Sequence, residues 1–199
     1  MNWNNYSEVK EILRVKLMPV EGNEELLKKI PHRLYEDIAM IYRMEIYASS
    51  SGDRVYTIFT NDDLTKYGIT AKQLHEDAIN AARSSTQTQI KSIAQIFNAP
   101  LESPGNDLYV VTTDETCGAW ALFIPGAMRA YARSIACDGY YILPSSIHEM
   151  LLFPNKSLSA QELKQMVVEI NATVVDPKDK LTDSVYYYDC GSDSFRKVA

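Results

Sequence analysis

Leu13, Val15 and Leu17 alternate with Arg14 and Lys16, the two-residue period of a strand that buries one face. Pro19 and Gly22 end that run. In NEELLKKI, Asn23 stands as a cap before Glu24 and Glu25, acids that suit the positive end of a helix dipole, and Pro31 stops the short helix. LYEDIAMIYRMEIYA, from Leu34, reads as helix by propensity or as a long strand by its neighbours. Its C-terminal neighbours are the turn SSSGDR and the β-branched and aromatic run VYTIFT, so the pattern predicts a β-hairpin across Ser49 to Arg54.

NDDLTKYG reads as a capped helical turn closed by Gly68, and TAKQLHEDAINAAR as a helix with Leu74, Ala78, Ala81 and Ala82 in one stripe. In TQIKSIAQIFN, Ile90, Ile93, Ile96 and Phe97 recur at helical spacing. NAPLESPGND, with two Pro and one Gly, is a loop. DLYVVTTD is a strand by composition, and IPGAMRAYARSIACDG a helix with Pro125 near its start and Gly139 after its end. YYILP and HEMLLF are two strands hinged at Pro144, Ser145 and Ser146. SLSAQELKQMVVEINAT is a Ser-capped helix with Leu163, Met166, Val167 and Ile170 at helical spacing, and DSVYYYDCGSDSFRKVA is a closing hairpin. Strands bunched in hairpins with interspersed helices predict an α+β fold with an antiparallel or mixed sheet. A single domain over 1–199 is expected, with a mobile loop or sub-domain boundary at 98–107.

Composition narrows the function classes. With 46% hydrophobic and 23% charged residues, the chain has the make-up of an ordinary globular protein. A net charge of −6 disfavours direct binding to nucleic acid, which draws its affinity from clustered Lys and Arg on phosphates. No apolar run approaches the roughly 18 residues that span a bilayer, so no membrane partner is expected. Cys117, Cys137 and Cys190 are odd in number and far apart, which indicates neither a disulfide framework nor a zinc ribbon and points to a cytoplasmic setting.

The candidate chemistry is sparse. Ser146 and His148 lie two residues apart, which on a strand would put both on one face, with Glu36 or Asp37 as a carboxylate partner for a hydrolase. Against that stand the missing G-x-S-x-G elbow and the turn chemistry of Pro-Ser-Ser. His32, His75 and His148 are each alone in their block, so no metal site is expected. Cys117 precedes Gly118 before a short helix, a position that can activate a thiol but more often holds a small buried residue. No glycine-rich phosphate loop is present, and no cofactor is expected. The 13 tyrosines favour an interaction surface: Tyr186 and Tyr188 fall on one strand face and Tyr187 on the other, with the alternative that these rings cover a small sheet. Asp62 and Asp63 are the acidic candidates for such a surface.

Four blocks, IPHRLYEDIAMIYRM, TNDDLTKYGITAKQLHEDAINAA, YYILPSSIHEMLLFP and MVVEINATVVDPKDKLTDSVYYYD, resemble an uncharacterised bacterial family, domain of unknown function 5688. The resemblance implies an origin in gut Clostridia and their mobile elements, and a core lacking the N-terminal region that many members carry. It implies no catalytic residues. The expectation is a non-catalytic accessory protein that binds another protein, for example an antidefence inhibitor of a nucleic-acid-handling complex such as a CRISPR nuclease. The rivals are a small hydrolase using Ser146 and His148 with Glu36, and a structural module.

Overall fold

The computed structural model describes residues 2–98, 107–114, 116–144, 146–154 and 157–199. The fold is α+β with antiparallel sheets, as the hairpin pattern predicts. The chain divides into two compact units, Met1–Gln87 and Thr88–Ala199. Of the expected loop at 98–107, residues 99–106 lie outside the described residues.

The first unit is organised by one long strand. Its elements are α1 (Tyr6–Val9), β1 (Leu13–Pro19), α2 (Glu24–Leu27), β2 (His32–Tyr35), β3 (Ile38–Ala48), β4 (Arg54–Ile58), α3 (Asn61–Tyr67) and α4 (Ala71–Ser85). The ambiguous Leu34–Ala48 run is β3 with the end of β2, because three strands compete for its peptide groups. β1 pairs along Ile38–Met44, β2 along Ile38–Ile41 and β4 along Arg43–Ala48. Two tight turns make this possible. Glu36 begins the two-residue β2–β3 connection at φ 57°, the left-handed backbone such hairpins need. Ser49 Oγ and the Asp53 carboxylate bond across the β3–β4 turn.

Leu13, Val15 and Leu17 share a face with Met40, Tyr42 and Met44, and Leu74, Ala78 and Ala82 of α4 are buried with them. The α4 side carries one polar pair: Tyr42 Oη lies 2.9 Å from His75 Nδ1. Burial drives the His75 pKa below its ordinary value, with Arg33 adding to the effect, and burial raises that of Tyr42. In both groups burial favours the uncharged form. On the other face Ala39 and Ile41 pack with Leu27 and Ile30 of the α2 segment. Farther along, Glu45 Oε2 meets Arg54 at 2.8 Å and Arg14 at 3.4 Å, so a nearly buried carboxylate compensates two guanidiniums.

The second unit holds β5 (Thr88–Ser92), α5 (Ile93–Ile96), β6 (Tyr109–Thr113), a 3-10 segment (Gly118–Phe123), α6 (Ala127–Ser134), β7 (Gly139–Leu143), β8 (Met150–Phe153), α7 (Ala160–Thr173), β9 (Tyr186–Asp189) and β10 (Ser194–Lys197). The six strands run in the order β10-β9-β7-β8-β6-β5. Ile90 does not begin a helix: it pairs with Val111 in a β5–β6 ladder, and the helix starts only at Ile93, where Ser92 and Gln95 form a capping box. HEMLLF is likewise a strand only from Met150, which leaves Ser146 and His148 in the connection.

Register sorts the sheet into two faces. Tyr140, Ile142 and Leu152 align with Tyr186 and Tyr188, and this face meets the aromatic residues of the 3-10 segment, Phe123 lying 5.6 Å from Phe195. Tyr141, Leu143, Leu151 and Phe153 form the opposite face, packed with Leu163 and Val167 of α7. Gly139 leaves no room for a side chain: a Cβ there would come 2.5 Å from Tyr187 Oη and 2.6 Å from the Tyr188 carbonyl.

Gly139→Ala is therefore expected to lower stability by roughly 1–3 kcal/mol, since the intruding methyl group meets a strand carbonyl that cannot swing away; a denaturation midpoint equal to wild type would contradict the packing. His75, with its folded pKa below its unfolded value, binds its proton more readily in the unfolded chain. Its contribution to stability is full above about pH 6.5 and is lost as pH falls from there toward the depressed folded value. Thermal unfolding across that range should show a smaller decline for His75→Gln than for wild type, and equal slopes would sink the assignment.

Candidate functional site

The described residues of the β7–β8 connection are held in place by polar groups. Ser146 Oγ accepts the His148 main-chain N–H at 3.1 Å, a hydroxyl-capped turn of the kind Ser favours. Thr112 Oγ1 donates to the His148 carbonyl at 2.8 Å. Ile147 donates its N–H to the Asp179 carbonyl and accepts from Ala119. The imidazole completes the arrangement: Nδ1 accepts the Cys117 N–H at 3.1 Å and Nε2 lies 3.3 Å from Asp179 Oδ2.

This geometry specifies the ring's tautomer. Because Nδ1 accepts a backbone N–H, the proton sits on Nε2 and points at Asp179. A Ser–His dyad needs an unoccupied imidazole nitrogen facing the hydroxyl. Here both nitrogens are engaged elsewhere, and Ser146 Oγ serves the main chain. The carboxylate beside His148 is Asp179; Glu36 occupies the β2–β3 turn of the first unit. Ser145 lies outside the described residues. Cys117 adopts φ 67°, turning the chain into the 3-10 segment, and its thiol is buried. Gly118 follows because a side chain would collide with the Thr113 backbone and the Thr112 hydroxyl.

The remaining candidates also take structural places. Tyr186 and Tyr188, expected on an interaction surface, are 0% and 1% exposed, because their strand face is covered. Tyr186 stacks on Phe195 at 5.0 Å and Tyr188 donates to Asp193 at 2.6 Å. Tyr187, on the other face, packs edge-on to Tyr141 at 5.1 Å. Asp63 closes the capping box of α3, accepting from the Thr60 N–H and hydroxyl, whereas Asp62 in the same turn is exposed. The His32 ring bonds the Ile30 carbonyl. Among the described residues no three His, Cys, Asp or Glu side chains converge in a way that could hold a metal ion, and no helix is long and apolar enough to cross a membrane.

A concave feature of the second unit lies under α7. A cleft of about 110 Å³ opens between that helix and the sheet, lined by Leu143, Leu151 and Phe153 below and by Leu163, Met166 and Ile170 above. Its walls are apolar apart from Asn171, whose side-chain oxygen is buried without a hydrogen-bond partner among the described residues. The apolar stripe of α7 is only partly covered: Met166 stays 45% exposed, Ile170 38% and Val174, at the helix end, 77%. The periodicity of MVVEINATV carries this stripe, but nothing in the pattern tells a fully covered face from a half-open one.

The model of a family of unknown function, DUF5688, matches residues 1–190. No curated protein and no solved structure matches the chain.

Ser146→Ala is expected to cost about 1 kcal/mol of stability through the lost turn bond, while turnover of p-nitrophenyl acetate, measured on the same samples, stays at the wild-type level. Loss of an esterase activity in this variant, with stability unchanged, would restore the hydrolase.

Proposed function

The chain belongs to the DUF5688 family, whose function is unknown, and we propose that it is a non-catalytic protein-binding module. The observation that carries this reading is the half-open apolar face of α7 above an apolar cleft. Adjacent exposed apolar residues on a helix, rimmed by polar ones, are a surface whose removal from water favours association. Met166 at the rim adds an adaptable side chain suited to a partner's contours. The engagement of Ser146 Oγ by the main chain and of both His148 ring nitrogens by Cys117 and Asp179 counts against the hydrolase alternative.

The net charge of −6 supports a basic partner, because opposite charge speeds encounter and excludes acidic competitors. A narrower proposal names that partner as a nucleic-acid-handling complex, such as a CRISPR nuclease, whose basic channel the acidic protein would occupy as an antidefence inhibitor encoded by a mobile element.

The test starts with immobilised protein and host lysate, and then measures the purified captured partner against wild type and the double variant Met166→Gln/Ile170→Gln. Two central apolar contacts, each worth about 1 kcal/mol or more, should weaken the dissociation constant at least tenfold when removed. Equal affinity in the variant, or the absence of any saturable partner, would overturn the reading. If a captured nuclease cuts its substrate equally well with and without the protein, the inhibitor proposal falls.

A further inference from the structure

We infer that the open face of α7 receives a basic amphipathic helix of the partner, with one aliphatic side chain of that helix seated in the cleft. This deepens the protein-binding reading and rests on it. Met166, Ile170 and Val174 recur at intervals of four residues along the exposed side. Such a row forms the ridge that a second helix packs beside when rows of the same spacing interdigitate.

The cleft selects the size of the inserted group. A cavity of about 150 Å³ lined by Leu, Ile and Phe accepts a benzene ring, and the 110 Å³ here suits a leucine or isoleucine side chain better than an aromatic one. Its walls are apolar except at Asn171, so a polar group seated among the leucines and Phe153 would lose its water without replacement.

The border of the row selects the charge. On α7 the residues next to Met166 on the side away from the cleft are Glu162 and Glu169, three or four positions away along the helix, with Gln165 and Thr173 beside them. Glu162 also takes the Ser159 N–H and hydroxyl, which keeps its carboxylate oriented at the helix start. No Lys or Arg stands on this border. A partner helix with Lys or Arg flanking its apolar stripe would meet the two carboxylates. A second copy of this chain would bring another acidic border, and an anionic lipid surface would be repelled.

The probe is a fluorescein-labelled amphipathic peptide of about 18 residues, long enough to be helical when bound. One version carries Leu on one face and Lys on the other, and a matched version carries Leu and Glu. Anisotropy with the full chain should show saturable one-to-one binding of the Leu/Lys peptide and at least tenfold weaker binding of the Leu/Glu peptide. Met166→Gln/Ile170→Gln should weaken the Leu/Lys complex about tenfold or more, and Glu169→Gln several-fold with a shallower dependence on salt. Circular dichroism of each variant confirms that α7 remains folded.

Equal affinity for both peptides, or Leu/Lys binding that survives Met166→Gln/Ile170→Gln, would overturn the inference, the latter by revealing attraction to acid alone. Self-association abolished by the same double variant, seen by sedimentation, would assign the face to a second copy. Binding to phosphatidylglycerol vesicles through it would assign it to lipid. If the natural partner is lost on Met166→Gln/Ile170→Gln while the Leu/Lys peptide never binds, the basic helix falls and the protein-binding reading stands.

Discussion

Buried peptide groups must find hydrogen-bond partners, and in the second unit that demand is met around one residue. His148 connects the β7–β8 loop through its main chain to Ser146 and Thr112. Its ring connects the same loop to Cys117 and Asp179. Three irregular segments are thereby held against one another without a strand or helix to order them. The 3-10 segment, whose Phe123 lies edge-on to Phe195, starts at this junction, and so does the return of the chain after α7. Asn171 of α7 reinforces that return by donating to the Thr182 carbonyl and the Asp183 carboxylate. The walls of the apolar cleft therefore stand on a polar junction, and a seryl–histidyl pair with the look of catalytic machinery serves as its fastening.

The first unit solves a different problem. A long strand shared by three neighbours places Tyr42 in the interior with a hydroxyl to satisfy, and α4 supplies His75 at 2.9 Å. The same strand carries Arg43 and Glu45 on its other face, where Arg43 lies 3.7 Å over the Tyr56 ring and Glu45 gathers Arg14 and Arg54. Half-buried charge on a sheet face costs desolvation unless partners are fixed. Here cross-strand register fixes them, since Arg14 stands opposite Arg43 and Glu45 opposite Tyr56.

Much of the fold was legible in the pattern. The β3–β4 hairpin, α4, α7 and the closing hairpin arise from local signals: a Ser-rich turn with Gly52, a Thr70 cap, a Ser159 capping box, and alternation in VYYYD. The pattern misleads where two periods overlap. Ile90, Ile93 and Ile96 fit a helix, yet the first of them lies on a strand because β6 offers a full ladder of partners. At the candidate site, the closeness of Ser146 and His148 was readable, but Asp179 was not, being 31 positions beyond His148 with nothing local to mark it.

Residue order alone sets the local choices: which runs alternate, which turn, where helices are capped, and that VYYYD must divide its tyrosines between two faces. These depend on neighbours within one turn or one hairpin, so backbone sterics and capping are enough to specify them. Which face is covered was settled by long-range packing instead. Tyr186 and Tyr188 are buried on the face where Phe123 reaches Phe195 and Tyr140 donates to the Met128 carbonyl, while Met166 and Ile170 stay partly exposed. Whether an apolar side chain meets protein or water depends on segments far apart in the chain, and the energy of burial carries no record of sequence distance.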